Sequence, residues 1–221
     1  MSLARYAGVR QRMQWGAVAL VLLLAAPTMA APAVKTAKST HPTVLVFGDS
    51  LSAGYGMAAS QAWVALLEKR LHARHPRWAL VNASISGETT AGGVARIDAA
   101  LARVKPKIVV IELGANDGLR GLPLAQTRDH LATMVTASRK SGAKVLLLGM
   151  RMPPNLGRAY TDGFQANYLA VAKTDGVTLL PFLLEPVAGD RVNFQDDNLH
   201  PTAEAQPKLL EHVWKALAPL L

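Results

Sequence analysis

Five short apolar runs, each separated from the next by a stretch long enough for a helix, constrain this chain more than any other feature. They are Thr43–Phe47 (TVLVF), Trp78–Asn82 (WALVN), Lys107–Leu113 (KIVVIEL), Ala143–Gly149 (AKVLLLG) and Val177–Leu180. The runs are mostly continuous rather than alternating, and they are rich in Val, Ile and Leu. A strand buried on both faces reads that way, as when helices cover both sides of a parallel sheet. Between the runs, Trp63, Leu66, Leu67 and Leu71 recur at helical spacing. Further helices are expected from Gly92 to Val104, from Pro123 to Ser141 with Pro123 in the first turn, and from Phe164 to Thr174. Leu209, Leu210, Val213, Trp214 and Leu217 line one face of a last helix. Strand and helix alternate five times, which predicts an α/β layer fold with a parallel sheet and right-handed crossovers.

The start of the chain reads differently. Arg5, Arg10 and Arg12 precede an unbroken apolar stretch of 12 residues, Trp15–Ala26. Thr28-Met29-Ala30 then offers a small-x-small cleavage site, with Ala31 as a neighbouring option. Residues 1–30 are read as a secretory signal, residues 31–42 as an unstructured leader, and residues 43–221 as one domain. The alternative, an uncleaved anchor, is disfavoured because a bilayer span needs roughly 20 apolar residues. The chain of 221 residues contains no cysteine, so a lipoprotein anchor is excluded and an exported domain relies on its core without disulfides. Removing residues 1–30 takes three of the 24 basic residues and none of the 15 acidic ones, leaving a net charge of +6. Those charges are interspersed with apolar residues, as in Glu68–Arg74, and no aromatics interleave for base stacking. That pattern reads as a solvated helix face, and no nucleic-acid partner is expected.

Four short motifs follow three of the runs and precede the last helix: Gly48-Asp49-Ser50-Leu51, Ser86-Gly87-Glu88-Thr89, Gly114-Ala115-Asn116-Asp117 and Asp197-Asn198-Leu199-His200. In open α/β sheets, ligands bind beyond the carboxyl ends of the strands. A serine hydroxyl becomes a nucleophile only beside a base. Ser50, after the first run, is a candidate nucleophile, and His200 its base. Asp197, three residues earlier, can accept the Nδ1 proton and leave Nε2 free for Ser50. The Asn116 side-chain amide, the Gly87 amide and the Ser50 amide are candidate oxyanion donors. Singly, each has a plainer role: Ser50 or Asp49 as a helix cap, Gly87 at a positive φ, Asn116 as a cap, Asp197 in a surface turn. The remaining histidines are scattered, so no metal site is expected. The order Ser…Asp-x-x-His, without a second glycine after Ser50, also departs from the Gly-x-Ser-x-Gly arrangement.

These residues resemble the four blocks of the SGNH hydrolases, also called GDSL esterases or lipases. Gly48–Gly56, Asn82–Thr89, Gly114–Gly121, Arg151–Tyr160 and Leu180-Pro181-Phe182 are similar to the bacterial periplasmic thioesterase I, lysophospholipase and arylesterase group. The resemblance spans about residues 43 to 218. It implies a three-layer αβα flavodoxin-like fold with a five-stranded parallel sheet, and serine-dependent hydrolysis of esters and thioesters without a cofactor. Ser50, Asp197 and His200 take the catalytic positions, and Ser50, Gly87 and Asn116 the oxyanion positions. Ala115 and Asn198 stand where relatives often carry glycine.

The expected partners are small-molecule acyl esters, thioesters or lysophospholipids. The protein is expected to be a periplasmic or secreted monomer, with no stable membrane span after signal cleavage. From loop position, Leu119, Leu122, Met152, Pro153 and Leu156 are expected to receive the acyl chain, with Met150–Tyr160 as a mobile wall. Two rival readings stay open: a carbohydrate O-acetyl esterase, which the few aromatic residues disfavour, and a non-catalytic binding module on the same fold.

Overall fold

The computed structural model describes residues 41–221; the signal reading of residues 1–30 and the leader up to residue 40 lie outside the described residues. The elements follow in the order β1 (Thr43–Gly48), α1 (Ser50–Ala53), α2 (Trp63–Arg74), β2 (Ala79–Asn82), α3 (Thr90–Val104), β3 (Ile108–Glu112), α4 (Ala115–Leu119), α5 (Leu124–Lys140), β4 (Lys144–Leu148), α6 (Arg158–Asp175), β5 (Thr178–Leu180) and α7 (Gln206–Leu217). The five strands form one parallel sheet in the order β2-β1-β3-β4-β5. This is the doubly wound, flavodoxin-like order.

The order explains the layers. The β1-to-β2 connection runs one way along the sheet, and the next three run the other way. Right-handed crossovers therefore place α2 on one face and α3, α5 and α6 on the other. In keeping with this, α2 packs on α7, while α3, α5 and α6 lie side by side. The central strands β1 and β3 are buried along their whole length. Connections reverse direction between them, and such a switch point opens a crevice at the carboxyl ends. Gly48 pairs in register with Glu112, so both strands release their loops at one level.

Element ends differ locally from the sequence expectations. Helix α3 begins at Thr90, because the Thr89 side chain accepts from the Gly92 amide and caps it. Pro123 lies just before α5 in an extended conformation, not in its first turn. Helix α6 starts at Arg158, six residues earlier than expected. Its first turns are mostly exposed and carry no apolar stripe; an Arg158–Asp162 ion pair at 3.5 Å spans them. The expected mobile wall is thus loop only as far as Gly157, with a 3₁₀ turn over Pro154–Leu156. On α7, Leu209, Leu210, Val213 and Leu217 are buried. Trp214 is half-buried and faces the Arg70 guanidinium at 5.4 Å.

Candidate active site

Ser50 heads α1 immediately beyond β1. The Asp49 side chain caps this four-residue helix by accepting from the Leu51 amide at 3.0 Å. The turn leaves Ser50 partly exposed while Asp49 and Ser52 are buried. His200 reaches it from far along the chain: Nε2 lies 2.8 Å from Ser50 Oγ. On the other side of the ring, Nδ1 lies 2.6 Å from Asp197 Oδ2. The remaining Asp197 oxygen accepts the Leu199 and His200 amides at 2.9 and 3.0 Å. Burial resists ionisation of Asp197, yet the His200 and Leu199 hydrogen bonds outweigh it and hold its carboxyl down at about 2.

The tight Asp197–His200 loop requires Asn198 at φ 60°, a left-handed conformation that asparagine tolerates better than most residues. A Phe194–Pro201 bridge closes the loop. Gln195 Nε2 donates to Tyr55 O at 2.9 Å and Pro201 O at 3.1 Å, which ties the histidine loop to the chain beyond Ser50. The Tyr55 ring lies 4.5 Å from the His200 ring. Neither Gln195 nor Tyr55 was assigned a role from sequence; both are ordinary residue types whose role comes from loop apposition.

The other two motifs meet the same opening. Gly114 precedes α4 at φ 117°, and a Cβ there would fall 2.3 Å from the Tyr168 hydroxyl, so only glycine fits. Asn116, one residue into α4, donates through Nδ2 to Asp49 Oδ2 at 3.1 Å and Glu88 O at 2.9 Å. Asp117 is structural: buried, it accepts from Thr90 N at 2.9 Å and Thr90 Oγ1 at 2.5 Å, fixing α4 to the start of α3. Gly87 adopts φ 79°, and a Cβ there would meet no protein atom within 4 Å. Backbone conformation, not close approach by the protein, is what calls for glycine there. Arg120 donates to Gly87 O at 3.2 Å. Arg96 pairs with Glu88, donates to Ala83 O at 2.8 Å and stacks 3.9 Å from the Phe47 ring. These contacts hold the Gly87 loop against β1.

The four loops meet at one cavity of about 570 Å³. Ser50, Gly87, Asn116 and His200 line it, together with Ala115, whose methyl forms part of the wall. Of the residues expected to receive an acyl chain, Leu119, Met152 and Pro153 line the cavity, whereas Leu122 and Leu156 do not. The Leu122 carbonyl accepts from Tyr160 Oη at 3.0 Å instead. The sequence reading also missed apolar walls from distant loops: Phe182 and Leu184 beyond β5, and Phe194 and Leu199 beside His200. Of residues 180–182, which carried the family resemblance without a reason attached, Phe182 lines the cavity. No cluster of three or more metal-binding side chains exists among the described residues.

The chain is similar to known proteins along most of its length. Residues 46–206 match the model of the GDSL-like lipase/acylhydrolase family. Esterase TesA of Pseudomonas aeruginosa is 50% identical over 93% of this chain and 96% of its own length. Thioesterase 1/protease 1/lysophospholipase L1 of Escherichia coli is 44% identical over 81% of this chain and 85% of its own. The crystal structure of the psychrotrophic esterase EstA from a Pseudoalteromonas species, inhibited by monoethylphosphonate, superposes with a TM-score of 0.77 at 37% identity, over 80% of this chain and 97% of that one.

Proposed function

Because the chain belongs to the GDSL-like lipase/acylhydrolase family and is an ester hydrolase, we propose that it cleaves acyl esters and thioesters through an acyl-Ser50 intermediate. His200 Nε2 takes the Ser50 proton as Oγ attacks the acyl carbonyl. Asp197 accepts from Nδ1–H, keeps the ring in the required tautomer and stabilises the imidazolium. The developing oxyanion is held by the Ser50 and Gly87 amides and by Asn116 Nδ2. His200 then gives its proton to the leaving alcohol or thiol. Water, activated by the same nitrogen, releases the acid from Ser50. The observation that carries this reading is the unbroken relay Asp197–His200–Ser50, with spacings of 2.6 and 2.8 Å, at the wall of a cavity.

The cavity lining favours an acyl chain over a glycan. Leu119, Met152, Pro153 and Leu184 are aliphatic or thioether surface, suited to methylene groups. The preferred substrates in this reading are medium- or long-chain acyl esters, acyl thioesters and lysophospholipids, without a cofactor. Residues 1–30 act as an export signal in the same reading, and the mature protein works as a periplasmic or secreted monomer. Among the described residues no helix is long and apolar enough to cross a membrane.

The experiment is hydrolysis of p-nitrophenyl esters from acetyl to palmitoyl by the wild type and by Ser50→Ala. Ser50-dependent activity with an optimum at medium or long chains is expected. Activity confined to acetyl would transfer the reading to an O-acetyl esterase, and no Ser50-dependent turnover would leave a binding module.

A further inference from the structure

Beneath Ser50 lies a carboxyl that the proposed relay does not use. Glu112 ends β3 and is fully buried. Its Oε2 accepts from Ser52 Oγ at 2.8 Å and from the Asp49 amide at 3.3 Å; Oε1 has no hydrogen-bond partner among the described residues. The backbone leaves room for it: a Cβ on Gly48 would stand 2.7 Å from Glu112 Oε2. Asp49 is equally buried, and its Oδ2 accepts from Asn116 Nδ2 at 3.1 Å. Among the described residues no salt bridge reaches either acid.

Two neighbouring buried carboxyls without a cation do not both ionise. Burial and the Asp49 charge hold Glu112 well above the ordinary carboxylate range. Burial pushes Asp49 up to about 6, while the Leu51 amide, Glu112, His200 and Asn116 all favour its ionised form. The proton of the pair therefore sits on Glu112 and the charge on Asp49 near neutral pH. Tyr168, a further titratable side chain near the pair, is buried and donates to Leu113 O at 2.9 Å.

We propose that Glu112 is a positioning residue for the oxyanion site: its carboxyl fixes Ser52 and the Asp49 backbone under Ser50, and Asp49 in turn aims the Asn116 amide at the cavity. The proposal rests on the reading of Asn116 as an oxyanion donor. A space-filling role alone would be met at lower cost by an apolar residue, as at neighbouring Ile111 and Leu113, because a buried carboxyl with an unpartnered oxygen is destabilising. The contacts run instead to the nucleophile turn and, through Asp49, to a cavity-lining amide. Asn116 Nδ2 has two hydrogens and two protein acceptors. The N–H that donates to the neutral Glu88 carbonyl is the one an oxyanion takes over, replacing that carbonyl as acceptor. The charge-assisted bond to Asp49 meanwhile keeps the nitrogen in place.

The test is a double-mutant cycle on the full chain, reading kcat and KM for p-nitrophenyl butyrate. Glu112→Ala is expected to lower kcat about tenfold or more with KM within about twofold, since a transition-state contact is weakened. Glu112→Gln, a neutral isostere that still donates and accepts, recovers most of that loss. In an Asn116→Ala background, removing Glu112 costs less than about twofold, because coupled residues are not additive. The same proportional loss in both backgrounds, or a Glu112→Gln loss equal to that of Glu112→Ala, overturns the proposal. Where Glu112→Ala does not fold, Glu112→Leu, which fills the space without the polar contacts, takes its place in the same cycle with the same expected and overturning results. Ser50→Ala and Asn116→Ala separate the two levels. If they keep activity, the site reading and this inference fall together; if they lose it while the cycle is multiplicative, only the role of Glu112 falls.

Discussion

Two aspartates flank the Ser50–His200 pair, and they behave as opposites. Asp49 sits under the nucleophile turn without solvent access, and burial raises its carboxyl from the usual 3.8 to about 6. Asp197 sits in an open loop with 37% of its side chain exposed, and it is held at about 2. Both accept backbone and side-chain hydrogen bonds. Asp49, however, shares its pocket with a second carboxyl, whereas Asp197 faces the His200 ring and water. The lesson is that hydrogen bonds to a carboxylate outweigh desolvation where the group keeps part of its exposure, and lose to it where burial is complete. A carboxylate that faces an imidazole ring can stay ionised at the rim. One that holds a neutral amide can lie in the core.

Exchanging charge for amide at each position breaks the comparison most sharply. Asp197→Asn is expected to lower kcat by about 10³–10⁴-fold with the fold intact, because an amide favours the wrong histidine tautomer. Steady-state rates on p-nitrophenyl butyrate decide it; a loss of less than about tenfold would remove Asp197 from the relay. Next in size is Asn116→Ala, expected to reduce kcat by roughly 10²–10³-fold with KM little altered, the cost of one oxyanion donor. A change in KM alone would mean that the amide binds ground state and transition state equally.

The titration contrast predicts opposite stability profiles. The folded state holds the Asp49 proton more tightly than the unfolded chain, so Asp49 makes stability fall as pH rises from 3.8 to about 6, and the deficit persists above that. Asp197 is the reverse: its contribution is complete above 3.8 and disappears as pH falls to about 2. Urea unfolding at pH 4 and pH 7.5 should therefore show Asp49→Asn gaining on the wild type by roughly 1–3 kcal/mol between the two. An unchanged gap would mean that Asp49 is not held as a buried acid.

The smallest effects concern the cavity wall. Met152→Asp should cost about tenfold in kcat/KM on octanoyl relative to acetyl esters, because a charge replaces apolar surface along the acyl path. Leu156→Ala, outside the lining and more than a third exposed, should leave the chain-length profile within about twofold. Equal profiles for the two variants would move the acyl site elsewhere.

Much of this was legible in the chain. The continuous runs announced buried parallel strands because a sheet covered on both faces leaves no polar side to alternate with. The motifs were legible because nucleophile, base and carboxylate must come from few residue types. Element starts were read less well where the signal was a cap or an exposed turn, as at Thr89 and Arg158, since those turns carry no apolar period. Leu122 was misplaced for a related reason: loop position says that a residue is near an opening, not which way it faces. Leu119, three residues earlier at the end of α4, lines the cavity.

By itself, then, the sequence determined the α/β class with its parallel sheet and the chemical types available at the sheet edge, because both follow from local patterning. Only the tertiary structure decided the distances. It brought His200 to within 2.8 Å of a serine 150 residues away. It also seated Glu112 beneath Asp49, gave the two aspartates opposite charge preferences, and drew Phe182 and Phe194 into one wall. These properties depend on burial and on neighbours from remote segments. Local residue patterns do not encode them until the sheet brings the loops together.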